Sequence, residues 1–349
     1  MKTFRTVAIV ASAFIFACVA FIAPKAFCGE KVYRWKIQSA YPRGDVSMEF
    51  LKDFAADVKK RSNNKLLIHV FADPELVPAE QLFDATRLGT LDMLHGLGAM
   101  WAGVVPVGEV EFGLPYAYRT EGKSFKESAK ELRDFFYKSG MVELLRKEYA
   151  KHGMYWLDMH SYGPNVILST KPVKTCKDLS GLKITVEGSF NDFFNELGAA
   201  GTIVSGTETY MALKLGTVDA DQWDVSAITA LKWYEVAPYW IQGGENHQSF
   251  GHILVNLQRW NALPENLKQA LRDGAKDYWD KLVDEYDSEL KKANELVKQG
   301  KITICKLDSE CQKAHEEAAI KIWDSIAKRD PASAEAINLI KKWKSGQIK

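Results

Sequence analysis

The apolar residues in the N-terminal part of the chain recur with periods that predict strands and helices in turn. The predicted order is strand 32–40, helix 47–60, strand 66–71, helix 79–88 and strand 91–94. Ser47 is the predicted N-cap of the first helix, because serine side chains accept hydrogen bonds from free backbone amides there. Strands that alternate with helices in this way are typical of a parallel α/β sheet.

The same alternation continues further along the chain and predicts a second α/β unit. The predicted strands are 154–159, 165–169, 182–186 and 218–220, and the predicted helices are 190–197 and 207–215. A late strand over residues 251–256 is expected to return to the first unit. An uninterrupted amphipathic pattern from Pro264 to Lys298 predicts a helix of ~35 residues, or ~50 Å, which is longer than a single domain.

These elements predict two α/β domains with the long helix spanning both. The predicted division assigns residues 29–155 and about 245–265 to domain I, residues 156–244 and about 300–330 to domain II, and residues 264–300 to the long helix. Residues 331–349 form a separate C-terminal helix whose apolar face carries Ile337, Ile340 and Trp343. A body of two domains offers no obvious place to bury that face.

The first 28 residues have the composition of a secretory signal peptide. Lys2 and Arg5 precede an almost continuously apolar run over residues 6–23, and small residues near Cys28 offer a cleavage site. A membrane anchor is one alternative, because about 18 apolar residues can just span a bilayer. A lipoprotein acylated at Cys18 or Cys28 is another. We expect cleavage near Cys28 and release into the periplasm.

The charge of the chain excludes one broad class of partner. The formal charge is +1 at pH 7, with 46% apolar and 26% charged residues. Residues 1–28 contain three basic residues (Lys2, Arg5 and Lys25) and no acidic one, so their removal changes +1 to −2. A nucleic-acid surface needs a strong basic excess, which this chain lacks.

The cysteines after residue 28 are Cys176, Cys305 and Cys311. An exported protein meets an oxidising compartment, where neighbouring cysteines tend to pair. Cys305 ends a β-like run and Cys311 opens a helix, so we expect a Cys305–Cys311 disulfide that clips this turn. Cys176 is then left single on a surface turn.

The sequence favours binding over catalysis. It contains no glycine–serine–glycine nucleophile elbow, no glycine-rich phosphate loop and no Cys-x-x-Cys pair. Ligands of parallel sheets bind beyond the carboxyl ends of the strands, so the loops that begin at Tyr41 and His95 should border a cleft. His95 could donate to a ligand there or bond to backbone as a structural histidine. Trp101 and Trp223 are candidates for the cleft lining and equally for the core.

Several segments carry a family pattern, namely KPVKTCKDLSGLKITVEGS, ETYMALKLGTVDADQW, YEVAPYWI, DPELVPAEQLFDATRLGTLDM and FGLPYAYRT. Together they resemble the substrate-binding proteins of tripartite ATP-independent periplasmic (TRAP) transporters, the DctP family, over nearly all of the mature chain. The segment MLHGLGAMWAGVVP and the tryptophan of DADQW are most similar to the branch that binds α-keto acids and related carboxylates beside a metal ion.

The resemblance implies a periplasmic binding protein-like fold (type II-like), in which two α/β domains close on a ligand about a hinge and a long helix crosses both. It implies a receptor that captures a small organic acid and delivers it to a membrane permease without doing chemistry. That branch is also known for swapping a C-terminal helix to make a dimer, and the helix over residues 331–349 would suit such a homodimer.

Compared with the family pattern, the carboxylate clamp is missing. An arginine usually follows Gly-Leu-Lys-Ile and holds the substrate carboxylate by two parallel hydrogen bonds, but Thr185 stands there. Asn165 stands where another polar ligand or a second arginine is common. Gln222 replaces an acidic residue before Trp223, and Asp224 follows that tryptophan.

Three alternatives follow from this departure. The ligand is neutral, zwitterionic or cationic, with Asn165, Gln222 and Asp224 as partners. Alternatively, Arg43 in the first cleft loop holds an anion, or a Ca²⁺ or Na⁺ ion coordinated by Asn165, Gln222 and Asp224 carries it. Asp224 could instead cap the helix that follows it. A small organic acid is the favoured ligand, and Asn246 completes the candidate binding residues.

Two functions from other classes remain open. One is a secreted lyase or hydrolase that uses Asp224 and His95 on a two-domain α/β frame. The other is an ectodomain partner that reports a ligand to a membrane kinase.

Overall fold

Ten strands form a mixed sheet in the computed structural model, which describes residues 31–118, 123–243 and 248–348. The strands are β1 (Tyr33–Ser39), β2 (Leu66–Phe71), β3 (Met93–Gly96), β4 (Met154–Ser169), β5 (Lys183–Thr185), β6 (Ala200–Thr202), β7 (Ala220–Asp224), β8 (Tyr239–Gln242), β9 (Gln248–Asn256) and β10 (Thr303–Lys306). Their order is β2-β1-β3-β9-β4-β7-β5-β6, while β8 pairs with both β4 and β10.

Helices cover this sheet and connect its strands. They are α1 (Val46–Arg61), α2 (Leu82–Arg87), α3 (Val107–Phe112), α4 (Phe125–Lys138), α5 (Met141–Ala150), α6 (Cys176–Leu179), α7 (Ser189–Glu196), α8 (Thr209–Leu215), α9 (Ser226–Thr229), α10 (Leu257–Asn261), α11 (Glu265–Lys298), α12 (Ser309–Arg329) and α13 (Pro331–Lys344). Short 3₁₀ turns lie at Ala79–Gln81, Gly98–Trp101 and Trp233–Glu235.

Parallel and antiparallel pairs coexist in the sheet. β1 runs parallel to β2 and β3, and β5 runs parallel to β6 and β7. The late strand β9 is antiparallel to both β3 and β4, and all of its residues are buried. The prediction that a late strand returns to the first α/β unit is therefore confirmed.

β4 is one long strand where the sequence predicts two. Its residues up to Pro164 pair with β9, and Asn165 onward pairs with β7 and β8. The break lies at an irregular register between Ser161 and Pro164, where Gly163 has a positive φ of 68° and a Cβ would lie 2.7 Å from the Tyr286 ring. From Val32 onward the described residues form one compact unit, and the predicted domain boundaries stay a prediction.

The first helix is capped by a different residue from the one predicted. Asp45, not Ser47, is the N-cap of α1, and its Oδ1 accepts hydrogen bonds from the Met48 amide (3.2 Å) and the Ser47 hydroxyl (2.6 Å). The prediction of Ser47 was wrong because the cap lies two residues earlier, directly before Val46, and aspartate is an equally good cap. The cap leaves the Asp45 carboxyl fully buried.

The predicted long helix is confirmed as α11, which contains 34 residues. It packs against α1 and α4, against β4 and against α9, so it contacts elements from both α/β units. Gly274 permits the close approach to α1, since a Cβ at that position would lie 2.8 Å from a Val58 methyl group.

The C-terminal helix α13 buries its apolar face within its own chain. Ile337 and Ile340 are buried, and Trp343 stacks on Phe135 with ring centroids 5.0 Å apart. The helix packs against α12, α3 and α5. The expectation that this face has no place in the body was wrong, because α3, α5 and α12 together provide an apolar surface for it. An exchanged dimer stays a prediction.

The disulfide joins Cys176 to Cys311, and Cys305 is free and fully buried. The predicted Cys305–Cys311 clip was wrong, as was the single surface Cys176. Cys305 lies on β10, paired with β8, and is buried among core residues, whereas Cys311 in the first turn of α12 faces α6. The packing of α12 on α6 determines which thiols pair, and proximity along the chain does not.

Within the described residues, every helix is too short or too polar to cross a membrane. The predicted signal peptide over residues 1–28 lies outside the described residues.

We expect the double substitution Cys176→Ser and Cys311→Ser to lower the free energy of unfolding by about 2–4 kcal/mol, because the disulfide closes a long loop in the unfolded chain. Urea unfolding with and without reductant measures this. The control variant Cys305→Ala should still be destabilised by reductant, because it retains the disulfide. A peptide map that joins Cys305 to Cys311 would contradict the assigned pairing.

Candidate functional site

A cavity of about 790 Å³ opens at the carboxyl ends of the parallel strands. Segments that follow β1, β3, β5 and β6 border it, and Asn165 of β4 and Gln222 and Trp223 of β7 complete it. Ligands of open α/β sheets bind at this edge. Its volume falls within the range of small-molecule pockets, so this cavity is the candidate site.

Three aromatic rings form one side of the cavity, which we call the aromatic floor: Tyr41, Tyr162 and Trp223. The two tyrosine rings are 5.1 Å apart, and Trp223 lies 6.1 Å from Tyr162. Gly206 makes room for the tryptophan, because a Cβ there would lie 2.7 Å from its ring. The floor can therefore pack against an apolar or planar part of a ligand.

The charged groups of the lining are all acidic. Asp73, Glu80 and Glu187 border the cavity, and no lysine, arginine or histidine does so among the residues that the structure describes. A carboxylate ligand would thus meet carboxyl groups without a cationic side chain. The amides of Asn165, Asn191 and Gln222 supply neutral polar groups instead.

Glu187 is the most perturbed of these acids. Burial and the charge of Glu109 raise its pKa to about 7. Glu109 is held behind it, where it accepts a hydrogen bond from the Ser189 amide at the start of α7. Glu187 lies two residues after Thr185, the last residue of β5, and directly before Gly188, whose φ is positive. A carboxyl group with this pKa gains a proton or a cationic partner near neutral pH.

Thr185 is buried behind the lining rather than in it. It lies in register with Asp221 of the neighbouring β7. Burial and the charge of Glu187 hold the pKa of Asp221 well above its usual range. The position that the resemblance assigns to a clamping arginine is therefore filled by a small hydroxyl beside a buried acid.

Four of the predicted site residues line the cavity, namely Tyr41, Asn165, Gln222 and Trp223. The amide of Asn165 donates to the Ser249 hydroxyl at 2.8 Å, which orients it at the junction of β4 and β9. Asn246 lies outside the described residues.

His95 and Trp101 belong to the interior. His95 is fully buried and bonds to the Ser39 and Tyr278 hydroxyls, each at 2.9 Å. Burial and then the neighbouring His160 and His252 keep its pKa well below the usual value. Trp101 stacks on His252 with ring centroids 5.2 Å apart. Both were candidates for the cleft, with a structural histidine and a core tryptophan as the alternatives, and the structure places both side chains in the core.

Arg43 does not line the cavity. Its side chain is 64% exposed and forms an ion pair with Glu75. The expectation that Arg43 holds an anion does not fit this position.

Asp224 lies beneath the aromatic floor rather than in the cavity lining. Its Oδ1 accepts a hydrogen bond from the Ser226 amide at 2.6 Å, but the N-cap residue of α9 is Val225 and not Asp224. Asp224 is opposite Asn165 in the β4–β7 pair, yet it is fully buried. The proposed metal ligands Asn165, Gln222 and Asp224 therefore do not share one cavity, because only the two amides line it.

Sequence reasoning missed Glu187, Tyr162 and the acids Asp73 and Glu80. Glu187 carried a signal, since it stands in the turn between a predicted strand and a predicted helix at the edge where ligands bind. The other residues gave none, because their approach to the cavity depends on how separate segments pack.

The family model for bacterial extracellular solute-binding protein, family 7 (DctP), matches residues 37–330. The chain belongs to this family. Its members bind small-molecule solutes and deliver them to TRAP permeases, and they are binding proteins of the periplasm. A relative in Nostoc sp., a monocarboxylate 2-oxoacid-binding periplasmic protein, is 23% identical over 89% of this chain and 83% of its own length.

Solved structures share the fold. A TRAP periplasmic solute-binding protein from Chromohalobacter salexigens with bound (S)-(+)-2-amino-1-propanol has a TM-score of 0.81 at 20% identity, covering 90% of this chain and 96% of its own. One from Colwellia psychrerythraea with bound calcium and pyruvate has a TM-score of 0.81 at 23% identity, covering 90% and 95%. The predicted α/β fold of a solute-binding protein is therefore confirmed.

We expect Arg43→Ala to change the affinity for the co-purifying solute by less than about twofold, because exposed ion pairs contribute little. Trp223→Ala should weaken it by about tenfold or more, since it removes part of the aromatic floor. Calorimetric titration of both variants measures the difference. A large loss of affinity in Arg43→Ala, with no loss in Trp223→Ala, would contradict this assignment of the residues that line the cavity.

Proposed function

We propose that this chain is the extracytoplasmic receptor of a TRAP transporter for a small organic acid that also carries a protonated nitrogen. The solute binds on the aromatic floor, its nitrogen faces Glu187, and its carboxylate meets the amides of Asn165, Asn191 and Gln222. The single observation that carries this proposal is the charge of the lining, which has three carboxyl groups and no basic side chain among the described residues.

Electrostatics favours a ligand with its own positive charge. A carboxylate buried without a cationic partner is costly, and Thr185 cannot supply the missing charge. An ammonium group beside Glu187 lowers that cost, because it stabilises the ionised form of a carboxyl group whose pKa stands at about 7. The amino alcohol bound to the Chromohalobacter salexigens protein is a ligand of this cationic kind on the same fold.

A second candidate is an organic acid that enters together with Ca²⁺ or Na⁺. The amide oxygens of Asn165 and Gln222 could contribute to such an ion, and the Colwellia psychrerythraea protein holds calcium with pyruvate. Asp224 does not join them in the cavity, so the solute or Glu187 would supply the remaining oxygens.

The chain is exported with a signal peptide cleaved near Cys28 and acts by binding, not by turnover. The lyase or hydrolase alternative loses its proposed pair, because His95 and Asp224 are both buried outside the lining. We also propose that the receptor delivers its solute to the membrane permease and that it forms a homodimer through residues 331–349.

Calorimetry on ligand-free protein with matched solutes tests the ligand class. For each candidate amino acid or betaine, the same skeleton without its nitrogen and the same skeleton without its carboxylate serve as controls, with EDTA and with added Ca²⁺. The zwitterion should bind at least about tenfold more tightly than either control in EDTA. Equal or tighter binding of the simple acid, dependent on Ca²⁺, would favour the second candidate instead.

The affinity for the amine-bearing solute should depend on pH through Glu187. Because the ionised carboxylate binds the cation and its pKa is about 7, the dissociation constant should be about tenfold larger at pH 6 than at pH 8. Glu187→Gln should bind weakly at both values and show no such slope. A Glu187→Gln variant that retains the slope would place the titrating group elsewhere.

A further inference from the structure

The short helix α3 carries two buried glutamates, Glu109 and Glu111, which bond to different parts of the structure. Glu111 accepts a hydrogen bond from the Tyr149 hydroxyl of α5 at 2.7 Å and lies 2.8 Å from His252 Nδ1 of β9. Glu109 instead accepts a hydrogen bond from the Ser189 amide of α7. Helix α3 is therefore fixed to α5 and β9 by one glutamate and joined to α7 by the other.

The bond from Ser189 satisfies an amide that its own helix leaves free. Ser189 is the first residue of α7, and the first backbone amides of a helix have no partner within it. The N-cap residue is Gly188, which has no side chain that could accept a hydrogen bond. The Glu109 carboxyl takes this capping role from a separate helix. A carboxylate is favourable there, because a helix N-terminus carries partial positive charge.

Gly188 allows the start of α7 to approach α3 closely. A Cβ at this position would lie 2.3 Å from Glu109 Oε1 and 2.9 Å from the Ala99 Cβ. A second contact lies on the same two helices, where the Phe112 and Phe190 rings meet edge to face with centroids 6.1 Å apart. A side chain at position 188 would push Glu109 and Ala99 away, so the hydrogen bond requires a glycine there.

These contacts join two walls of the cavity. Ala99 and Phe112 line one wall, and Glu187 and Gly188 line the other. The first wall follows β3 and the second follows β5, and β9, β4 and β7 lie between these two strands in the sheet. Because the walls come from distant strands, the contacts between α3 and α7 help to determine how far apart they stand.

We propose that Glu109 is a positioning residue that holds the two walls together through its bond to the Ser189 amide, which we call the latch. A contact stabilises the conformation in which it is made. The solute leaves when the walls separate, so the latch slows its release. This effect on release rests on the proposed binding of a solute in the cavity, whereas the latch itself forms without one.

Hydrogen exchange on ligand-free protein tests the latch directly. We expect the Ser189 amide to exchange at least about tenfold more slowly than an unbonded amide, and Glu109→Ala to remove most of that protection. Glu109→Gln keeps an oxygen that can accept the same bond, so it should retain part of the protection. Rapid exchange at Ser189 in the wild type, or equal exchange in Glu109→Ala, would refute the latch.

Glu187→Gln is the matched control for this measurement. It removes a carboxyl group two residues before Ser189 and leaves Glu109 in place, so the slow exchange of the Ser189 amide should persist. Loss of the protection in Glu187→Gln would assign it to the local structure of the turn and contradict the role of Glu109.

The variant Ser189→Pro removes the donor instead of the acceptor. Proline is well tolerated as the first residue of a helix, where its missing amide is not needed by the helix itself. Radii of gyration of the ligand-free variants, measured by small-angle X-ray scattering, should increase in Ser189→Pro and in Glu109→Ala. The double variant should show no further increase, because both changes break one bond. Additive increases would argue against a shared bond.

Release of the solute that co-purifies with the protein tests the consequence of the latch. During dialysis followed by native mass spectrometry, Glu109→Ala should lose this solute about tenfold faster than the wild type, and Glu109→Gln should lose it at an intermediate rate. Equal rates in Glu109→Ala and the wild type would overturn the role in release. Faster loss of a solute without nitrogen would support the latch while contradicting the proposed ligand class.

Discussion

Carboxyl groups are concentrated around the aromatic floor, and no basic side chain of the described residues lines the cavity beside them. Glu187 faces the cavity with Glu109 behind it, Asp221 lies beside Thr185, and the carboxyl groups of Asp45 and Asp224 are buried. A low-dielectric interior makes isolated carboxylates costly, so each group must take up a proton, an ammonium group or a metal ion. The proposed ligand class is a consequence of this constraint.

The fold could be predicted well where periodicity alone decides it. The strands β1, β2, β3 and β5, the long helix α11 and the return of β9 follow from apolar spacing, because a buried face must repeat with the period of its element. The short strands β6 and β8 were not predicted. The C-terminal helix and the disulfide could not be predicted in this way. Both depend on which surfaces meet after folding, and α12 brings together Cys176, Cys311 and the face of α13 across a long stretch of chain.

The candidate site could be predicted in part. Tyr41 was selected because ligands bind at the carboxyl ends of parallel strands, and Trp223 was a candidate equally for the cleft lining and the core. The same rule also selected His95, Trp101 and Arg43, whose side chains turn to the core or to solvent, since the position of a residue at a strand end does not determine its side-chain direction. Glu187 was missed although it lies two residues after Thr185. The absence of an arginine at position 185, where Thr185 stands, can be interpreted only together with the acidic residues that the fold places nearby.

The chemical identity of the solute that co-purifies with the protein tests this electrostatic picture most directly. Native mass spectrometry of the intact complex, followed by release and identification of the ligand, gives both its formula and any bound metal. We expect a small acid that contains a protonated nitrogen. A simple carboxylic acid without nitrogen, held in the absence of any metal ion, would contradict the central claim that the cavity requires a positive charge from its ligand.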